Sequence, residues 1–434
     1  MTGLTRRGFA FSLLATAGTG CRLFQAWEES LADVRIRYER ELLENVVPFW
    51  MRHSIDSEYG GFLSCLDRDG SVYDTFKHLW MQWREVYMFA ALWNAGYHDR
   101  RYLDLAEHGF RFLQRHGRRP DGSYHYMLNR DGSVLSDEDG GQEVFTESFA
   151  AIGCAELYRA TGDEKYRREA LSAYDIYRRN TAAGMGKYDL LAYPMIELNV
   201  AQTMRSAFGG YDDEIESAIR RILRFVHPET GVMLERAPKF GGFDMETQFG
   251  RFVNPGHALE GLSFIMNWLM ERPNPKLQEL VLREARVMGE FGWDAAQGGI
   301  WYFRDALDKP MSRHEYFLKA WWPQTEAATA MLRAYALSRD EYFIEFFRRI
   351  DKFAWSRLCD KEKGEWFAYA PVEGRFYHSY KGSRFKGFFH LPRYLLNCIQ
   401  TIRWMEACRR QAGVRLGKNC GVQRIGSDIL PNGV

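Results

Sequence analysis

None of the seven cysteines forms a CxxC pair, and their count is odd. A disulfide framework and a compact structural zinc site are therefore excluded as organising devices. Charge of one sign is also missing, since 58 Lys and Arg stand against 57 Asp and Glu, for a net charge of +1. That balance gives no electrostatic case for nucleic acid or an anionic membrane as partner. The apolar run Ala10–Ala17 is too short to span a bilayer. No HExxH, GxxxxGK[ST], strand-borne GxGxxG or GxSxG occurs, which removes the commonest metalloprotease, nucleotide and serine-hydrolase signatures. No Ser-, Gly- or Pro-rich linker interrupts the chain either, so the body of its 434 residues is assigned to one domain.

Aromatic rings are what the chain has in excess: 13 Trp, 30 Phe and 23 Tyr. Such rings build large cores, and they also serve as stacking platforms for sugars. From Trp27 onward, amphipathic stretches alternate with compact glycine-aromatic segments. Helices are expected near 28–53, 78–96, 100–116, 142–161, 164–180, 192–206, 211–227, 255–271, 275–291, 318–337, 340–357 and 388–411, each with apolar residues at three- and four-residue spacing. Between them recur turn-and-strand pieces such as Tyr59-Gly-Gly-Phe, Asp121-Gly-Ser-Tyr, Gly231-Val-Met and Gly298-Gly-Ile-Trp. This is an internal repeat of helix hairpins. Neither end helix reads as a polar cap, so six such hairpins imply a closed ring, an all-α (α/α)6 barrel with short β-hairpins at one end.

The two ends of the chain stand apart. Thr5-Arg6-Arg7-Gly8-Phe9, followed by Ala10–Ala17 and small residues up to Cys21, has the layout of a twin-arginine export signal. Export to the periplasm is expected if the Arg6-Arg7 signal is used, and a cytoplasmic location otherwise. Cys21 is a weak candidate for a lipid anchor, because Gly18 replaces the branched residue expected three before it. Residues 25–411 are assigned to the barrel and 412–434 to a flexible tail.

The even-numbered helices carry polar residues at their starts: Gln82 and Arg84, Glu147, His257 and Glu260, Gln324 and Glu326, and His390. They share a direction, so these groups are expected to converge on one barrel end. In Asn254-Pro255-Gly256-His257-Ala258-Leu259-Glu260, Asn254 caps a helix opened by Pro255, with Glu260 on the same face as His257. His390 likewise precedes the proline-initiated start Leu391-Pro392-Arg393. Each motif alone also fits a capped helix with a packed histidine. Two imidazoles facing one cavity, however, suit inversion at a carbon beside a carbonyl: one takes the proton, a planar enolate forms, and the other returns a proton from the far face. Arg84 is the candidate for the oxyanion, with an ordinary ion pair to Glu85 as the alternative. Glu260 is expected to orient His257 or raise its basicity, and Glu147 and Glu326 to hold sugar hydroxyls. No His or Glu pair has the i, i+4 spacing of a compact metal site, and no metal is expected. Glycoside hydrolysis by two of the glutamates remains the enzymatic rival.

The segments Val47-Pro-Phe-Trp-Met, Tyr59-Gly-Gly-Phe, Lys77-His-Leu-Trp-Met-Gln-Trp-Arg84, Phe145-Thr-Glu-Ser-Phe, Asn254–Glu260, Lys319-Ala-Trp-Trp-Pro-Gln-Thr-Glu326-Ala and Lys381-Gly through Arg393 follow one another in a specific order. In these segments the chain, from about Tyr38 to Arg409, resembles the N-acylglucosamine 2-epimerase family, whose mammalian members are also called renin-binding proteins. The resemblance implies an (α/α)6 barrel, often a homodimer, that interconverts N-acetylglucosamine and N-acetylmannosamine. It implies that His257 and His390 exchange the proton on carbon 2, with Arg84 and Glu260 at matching positions. No cofactor is required, although ATP activates many members without being consumed. Trp322 and Gln82, in the matching segments, join the substrate-binding candidates. A second branch of the family, acting on neutral sugars and disaccharides such as cellobiose, carries a further histidine on the helix matching Tyr193–Asn199. Here Glu197 lies near that place, which favours the amino-sugar branch and leaves the ring-opening group unassigned. A non-catalytic binding role is disfavoured by the intact His257, His390 and Arg84 set.

Overall fold

The computed structural model describes residues 29–136, 144–182, 186–371, 374–376 and 378–415. The expected export signal and Cys21 lie outside the described residues, as does the tail beyond Arg415. Twelve rods form two concentric rings. The outer ring comprises α1 (Leu31–Arg40) continued by a π-turn (Glu41–Val46) and α2 (Val47–His53), then α4 (Arg100–His116), α6 (Glu164–Ala182), α8 (Asp212–Leu223), α10 (Pro275–Gly292) and α12 (Glu341–Arg357). The inner ring is α3 (Leu79–Asn94), α5 (Val144–Thr161), α7 (Ala192–Phe208), α9 (Pro255–Glu271), α11 (Trp321–Ser338) and α13 (His390–Arg415). Successive inner helices pack on one another, and α13 touches α3. The ring therefore closes.

Burial explains which helix goes where. On α4 only Tyr102, Leu103, Ala106, Gly109, Phe110, Phe112 and Leu113 are buried, one stripe of an amphipathic helix. Every residue of α11 from Trp321 to Ala334 is buried, as befits a helix packed on all sides. The first rod is less regular than its periodicity predicts. Pro48 cannot donate a hydrogen bond back to its preceding turn and its ring crowds that turn, and the chain widens into the π-turn just before it.

Links from inner to outer helices are short, at 95–99, 162–163, 209–211, 272–274 and 339–340. Links from outer to inner helices are long and hold all the strands. β1 (Cys65–Leu66) pairs with β2 (Val72–Asp74), and β3 (Lys77–His78) with β4 (Met127–Leu128), which also pairs with β5 (Val134–Ser136). β6 (Tyr188–Leu190) pairs with β7 (Arg236–Pro238), and β8 (Phe252–Val253) with β9 (Arg304–Asp305). All of these ladders are antiparallel. Five of the long links open with the same tight hairpin, closed by the bridges Ile55–Phe62, Arg118–Tyr124, Val226–Met233, Trp293–Ile300 and Cys359–Trp366. These are the recurring glycine-aromatic pieces of the sequence.

Three of the hairpins are pinned by buried ion pairs at the same place: Lys77 to Asp56 (2.9 Å), Lys319 to Asp294 (2.8 Å) and Lys381 to Asp360 (2.9 Å). Each lysine leads toward an inner helix. The hairpins thereby fix where the inner-helix N-termini, and the polar residues on them, stand around the mouth.

Candidate functional site

His257 sits in the first turn of α9, where the Asn254 side chain accepts its backbone N–H (3.3 Å) and Pro255 occupies the start. Its Nδ1 contacts both oxygens of Glu235, at 3.0 and 3.1 Å. Glu235 is a buried residue of the long link before α9, and its own N–H donates to the Phe252 carbonyl (2.9 Å). Since a carboxylate only accepts, Nδ1 carries the proton and Nε2 is left for chemistry. Burial lowers the pKa of His257, but the Glu235 charge and hydrogen bond outweigh it and hold the imidazole above its ordinary value.

His390 opens α13. Its Nδ1 donates to Glu326 Oε1 (2.8 Å), again leaving Nε2 free. Here burial, followed by the nearby Arg84 charge, pushes the pKa well below its ordinary value. Glu326 does little to restore it, because Arg393 already donates to Glu326 (2.7 Å) and to Glu260. The two histidines are thus pushed in opposite directions, His390 toward its neutral form and His257 toward its protonated one. Both rings lie against one indole, Trp322, with centroids 5.1 Å from His257 and 5.6 Å from His390. Both stand at inner-helix starts beside that ring, and the space next to it is the candidate hollow.

Arg84, in the second turn of α3, is buried and lies over the rings of Trp80 (4.5 Å), Phe149 (4.2 Å) and Phe389 (4.5 Å). Among the described residues it has no carboxylate partner, and its Nε is buried without a hydrogen bond. The expected alternative, a pair with Glu85, does not form, because Glu85 faces the other way and accepts from Ser54 (3.0 Å). Burial and then the Arg393 charge push the Arg84 pKa down to about 9, so it remains cationic at neutral pH. A caged guanidinium with unused donors is suited to an oxyanion.

Several expected roles change. Glu260 does not hydrogen-bond His257, as Glu235 does, although its charge helps to raise the His257 pKa; it is drawn to Arg393 because a guanidinium offers it a stronger, charge-assisted bond. Glu326 supports His390 rather than standing free for a sugar hydroxyl. Gln82 is a latch: its amide accepts from the Phe62 N–H and donates to the Phe62 carbonyl, both at 2.8 Å. Gln324 holds Ile300 in the same way, and Glu147 accepts the Tyr124 N–H (3.0 Å). These three meet the same backbone position of three hairpins, and the repeat uses them to clamp links. Glu197 points outward to Arg221 and Arg178 on neighbouring outer helices. Only Trp322 of the expected sugar-binding set lies against both histidine rings.

Two residues that sequence reasoning passed over are central. Arg393 could have been found three residues after His390, on one face of α13. Glu235 had no local signal, since it reaches His257 across a long link. Glu260, Glu326 and His390 bring ligand-type atoms within 4.8 Å of one another and could together hold a metal ion. Arg393 already places a cation against both carboxylates, which competes with that use. Outside the hollow lies a mouth cavity of about 750 Å³ lined by Tyr73, His78, Tyr126, Tyr369, Tyr380 and Arg384. Tyr302 links Tyr369 of the mouth (6.3 Å) to Trp322 (5.9 Å).

The architecture is shared with sugar-converting barrels. The solved cellobiose 2-epimerase of Bacillus thermoamylovorans superposes with a TM-score of 0.70 at 18% identity, covering 84% of this chain and 98% of that one. A solved D-mannose isomerase gives 0.73 at 18%, covering 85% and 97%. At such identities the likeness establishes the fold, an (α/α)6 barrel. The sequence goes further. The model of the N-acylglucosamine 2-epimerase (GlcNAc 2-epimerase) family matches residues 60–392. The N-acylglucosamine 2-epimerase of Homo sapiens is 34% identical over 398 residues, 87% of this chain and 90% of its own length. The chain belongs to the N-acylglucosamine 2-epimerase family, and is a sugar epimerase, an isomerase acting on carbohydrates.

Proposed function

We propose that this enzyme interconverts N-acetylglucosamine and N-acetylmannosamine by exchanging the proton on carbon 2 of the ring-opened sugar between His257 and His390. The observation that supports this is the pair of imidazoles flanking Trp322 with opposed protonation preferences. Environments that push two titratable groups apart are how one site holds an acid and a base at one pH. In one direction neutral His390 removes the carbon-2 proton, the electrons move onto the carbonyl oxygen, and Arg84 faces the negative charge. Protonated His257 then delivers its proton to the opposite face. The roles exchange in the reverse direction. Glu235 and Glu326 fix the two tautomers, and Arg393 keeps Glu326 from turning His390 into a permanent cation. The proton transfers draw on the chain's own residues. An allosteric ATP and a homodimer are suggested by the family resemblance.

Incubation with N-acetylglucosamine in deuterated water should yield the manno epimer with deuterium on carbon 2. His257→Ala and His390→Ala should each stop net epimerisation, while one of them keeps one-faced deuterium exchange. Absence of exchange into any N-acyl or neutral aldose would refute the proposal. A second reading, a neutral sugar or disaccharide as substrate, is favoured by the mouth cavity with Tyr73, Tyr369 and Tyr380 beside the hollow. Exchange with cellobiose but not with N-acetylglucosamine would select it. The hydrolase alternative loses support, because Glu260 and Glu326 are both held by Arg393 and Glu147 is committed to Tyr124.

A further inference from the structure

At the opposite end of the barrel, toward the C-termini of the inner helices, lies a second hollow. A cavity of about 70 Å³ is lined by Asn199, Gln202, Asn267, Arg333, Asn397 and Gln400, among others. A smaller one of about 30 Å³ shares Asn267, Arg333, Asn397 and Gln400. Arg333, on α11, therefore stands between the two. It is only 4% exposed.

Its guanidinium is poorly provided for. One nitrogen donates to the Ser263 carbonyl (3.2 Å) and hydroxyl (2.9 Å), while Nε is buried with no hydrogen bond. No carboxylate pairs with it among the described residues. The two that line these cavities are engaged elsewhere: Glu156 with Arg159 (2.7 Å) and Asn94 (2.6 Å), and Glu271 with Arg205 (2.8 Å). By contrast Arg393, which also lines the larger cavity, has two carboxylates. Burial pushes the Arg333 pKa down to about 10, so the charge remains at neutral pH. A buried cation without a counter-charge is a costly arrangement that a bound anion relieves. The wall around it is rich in side-chain amides, whose NH₂ groups donate to anions. The volume is far below the roughly 300–1,000 Å³ of organic-ligand pockets, which limits the occupant to something small.

We propose that this hollow binds a small inorganic anion, held by the Arg333 guanidinium with amide donors from Asn267, Asn397 and Gln400. Such an anion would tie α9, α11 and α13 together on the far side of Arg393 from His390, whatever sugar the mouth accepts.

Thermal unfolding of the full-length protein at constant ionic strength tests this, with sodium chloride exchanged for sodium gluconate, whose anion is too large. Tm should rise saturably with chloride, by about 2 °C at tenfold excess over Kd, and Arg333→Met should abolish the rise. Inorganic phosphate in a parallel series identifies the anion: an Arg333-dependent response to phosphate alone supports the site as one for an oxyanion. A response equal in the variant, or none to either anion, overturns the proposal. Should Arg333→Met fail to fold, a bromide-soaked crystal of the unaltered protein decides by anomalous scattering. A peak at the guanidinium is expected, and a hollow without bromide in a protein whose Tm also ignores phosphate overturns the idea. None of these readouts depends on the epimerase chemistry.

Discussion

Gly256→Ala is the smallest change by which the arrangement of the two histidines can be tested. Gly256 lies inside the first turn of α9, directly against Trp322. A Cβ there would stand 2.4 Å from Cζ3 and 2.6 Å from Cη2 of the indole, and 3.1 Å from Cβ of Pro323. Carbon contacts are comfortable from about 3.5 Å, so the ring must retreat by about 1 Å. Overpacking of this kind costs about 1–3 kcal/mol, and the better helix propensity of alanine returns up to about 1 kcal/mol. The net loss of stability is therefore modest. The loss of activity should not be, because the displaced indole is the surface on which both imidazoles rest. A misplacement of about 1 Å costs on the order of 100-fold in rate. Deuterium exchange at carbon 2 and calorimetric unfolding, measured on the same preparation, separate the two effects. Trp322→Phe in the Gly256→Ala background removes the colliding edge, and the two losses should then fall short of additive. A Gly256→Ala enzyme that is slightly less stable but fully active would show that Trp322 does not position the histidines.

Three further outcomes are expected. Glu235→Gln keeps an acceptor for His257 but removes the charge that raises its pKa. The one-proton state of the pair is then lost at lower pH, so the alkaline limb of the kcat/KM profile should move down while the acid limb stays; an unmoved alkaline limb contradicts the assignment. Arg84→Gln should lower kcat by about 10²–10³ with little change in KM, as for loss of an oxyanion donor, whereas a change confined to KM would make Arg84 a binding residue only. Asp294→Asn leaves Lys319 buried without its partner, and denaturant unfolding should show a cost of about 3–5 kcal/mol. Activity per folded molecule should persist, and its loss would mean that this hairpin does more than hold the α11 N-terminus.

The barrel and its mouth were legible because their signals are local. Pro255, Pro323 and Pro392 mark helix starts, glycine-aromatic hairpins mark the links, and apolar periodicity separates buried from half-buried helices. The same signals placed Gln82, Glu147 and Glu326 at the mouth yet misread their work. A polar side chain at an inner-helix start can face substrate, clamp a link or support a histidine. Which of these it does depends on where the backbone of a distant link passes, as Phe62 passes Gln82 and Tyr124 passes Glu147. Glu235 escaped notice for that reason too, since its contact with His257 is made across the β7 and β8 region. Glu197 was misplaced by analogy, because α7 turns that residue toward Arg221 instead of the hollow.

The charges around the hollow bear on how the proposed chemistry would start. Glu260 and Glu326 both face Arg393, and Glu235 faces His257, so each of these anions has a cation beside it. Among the described residues there, Arg84 is left without a carboxylate, packed among three aromatic rings that offer it only their faces. The cost of burying that charge is met when the protein folds, not when it binds a neutral sugar. A neutral ground state gives Arg84 little to neutralise, whereas an enolate oxygen gives it a full partner in a dry, low-dielectric place. In the proposed reaction the interaction is therefore stronger at the transition state than before it, which is the condition for a rate gain rather than mere affinity. The same logic keeps His390 neutral: any cation there would sit close to Arg84, and it becomes tolerable only once the carbon-2 proton has left its electrons on the substrate.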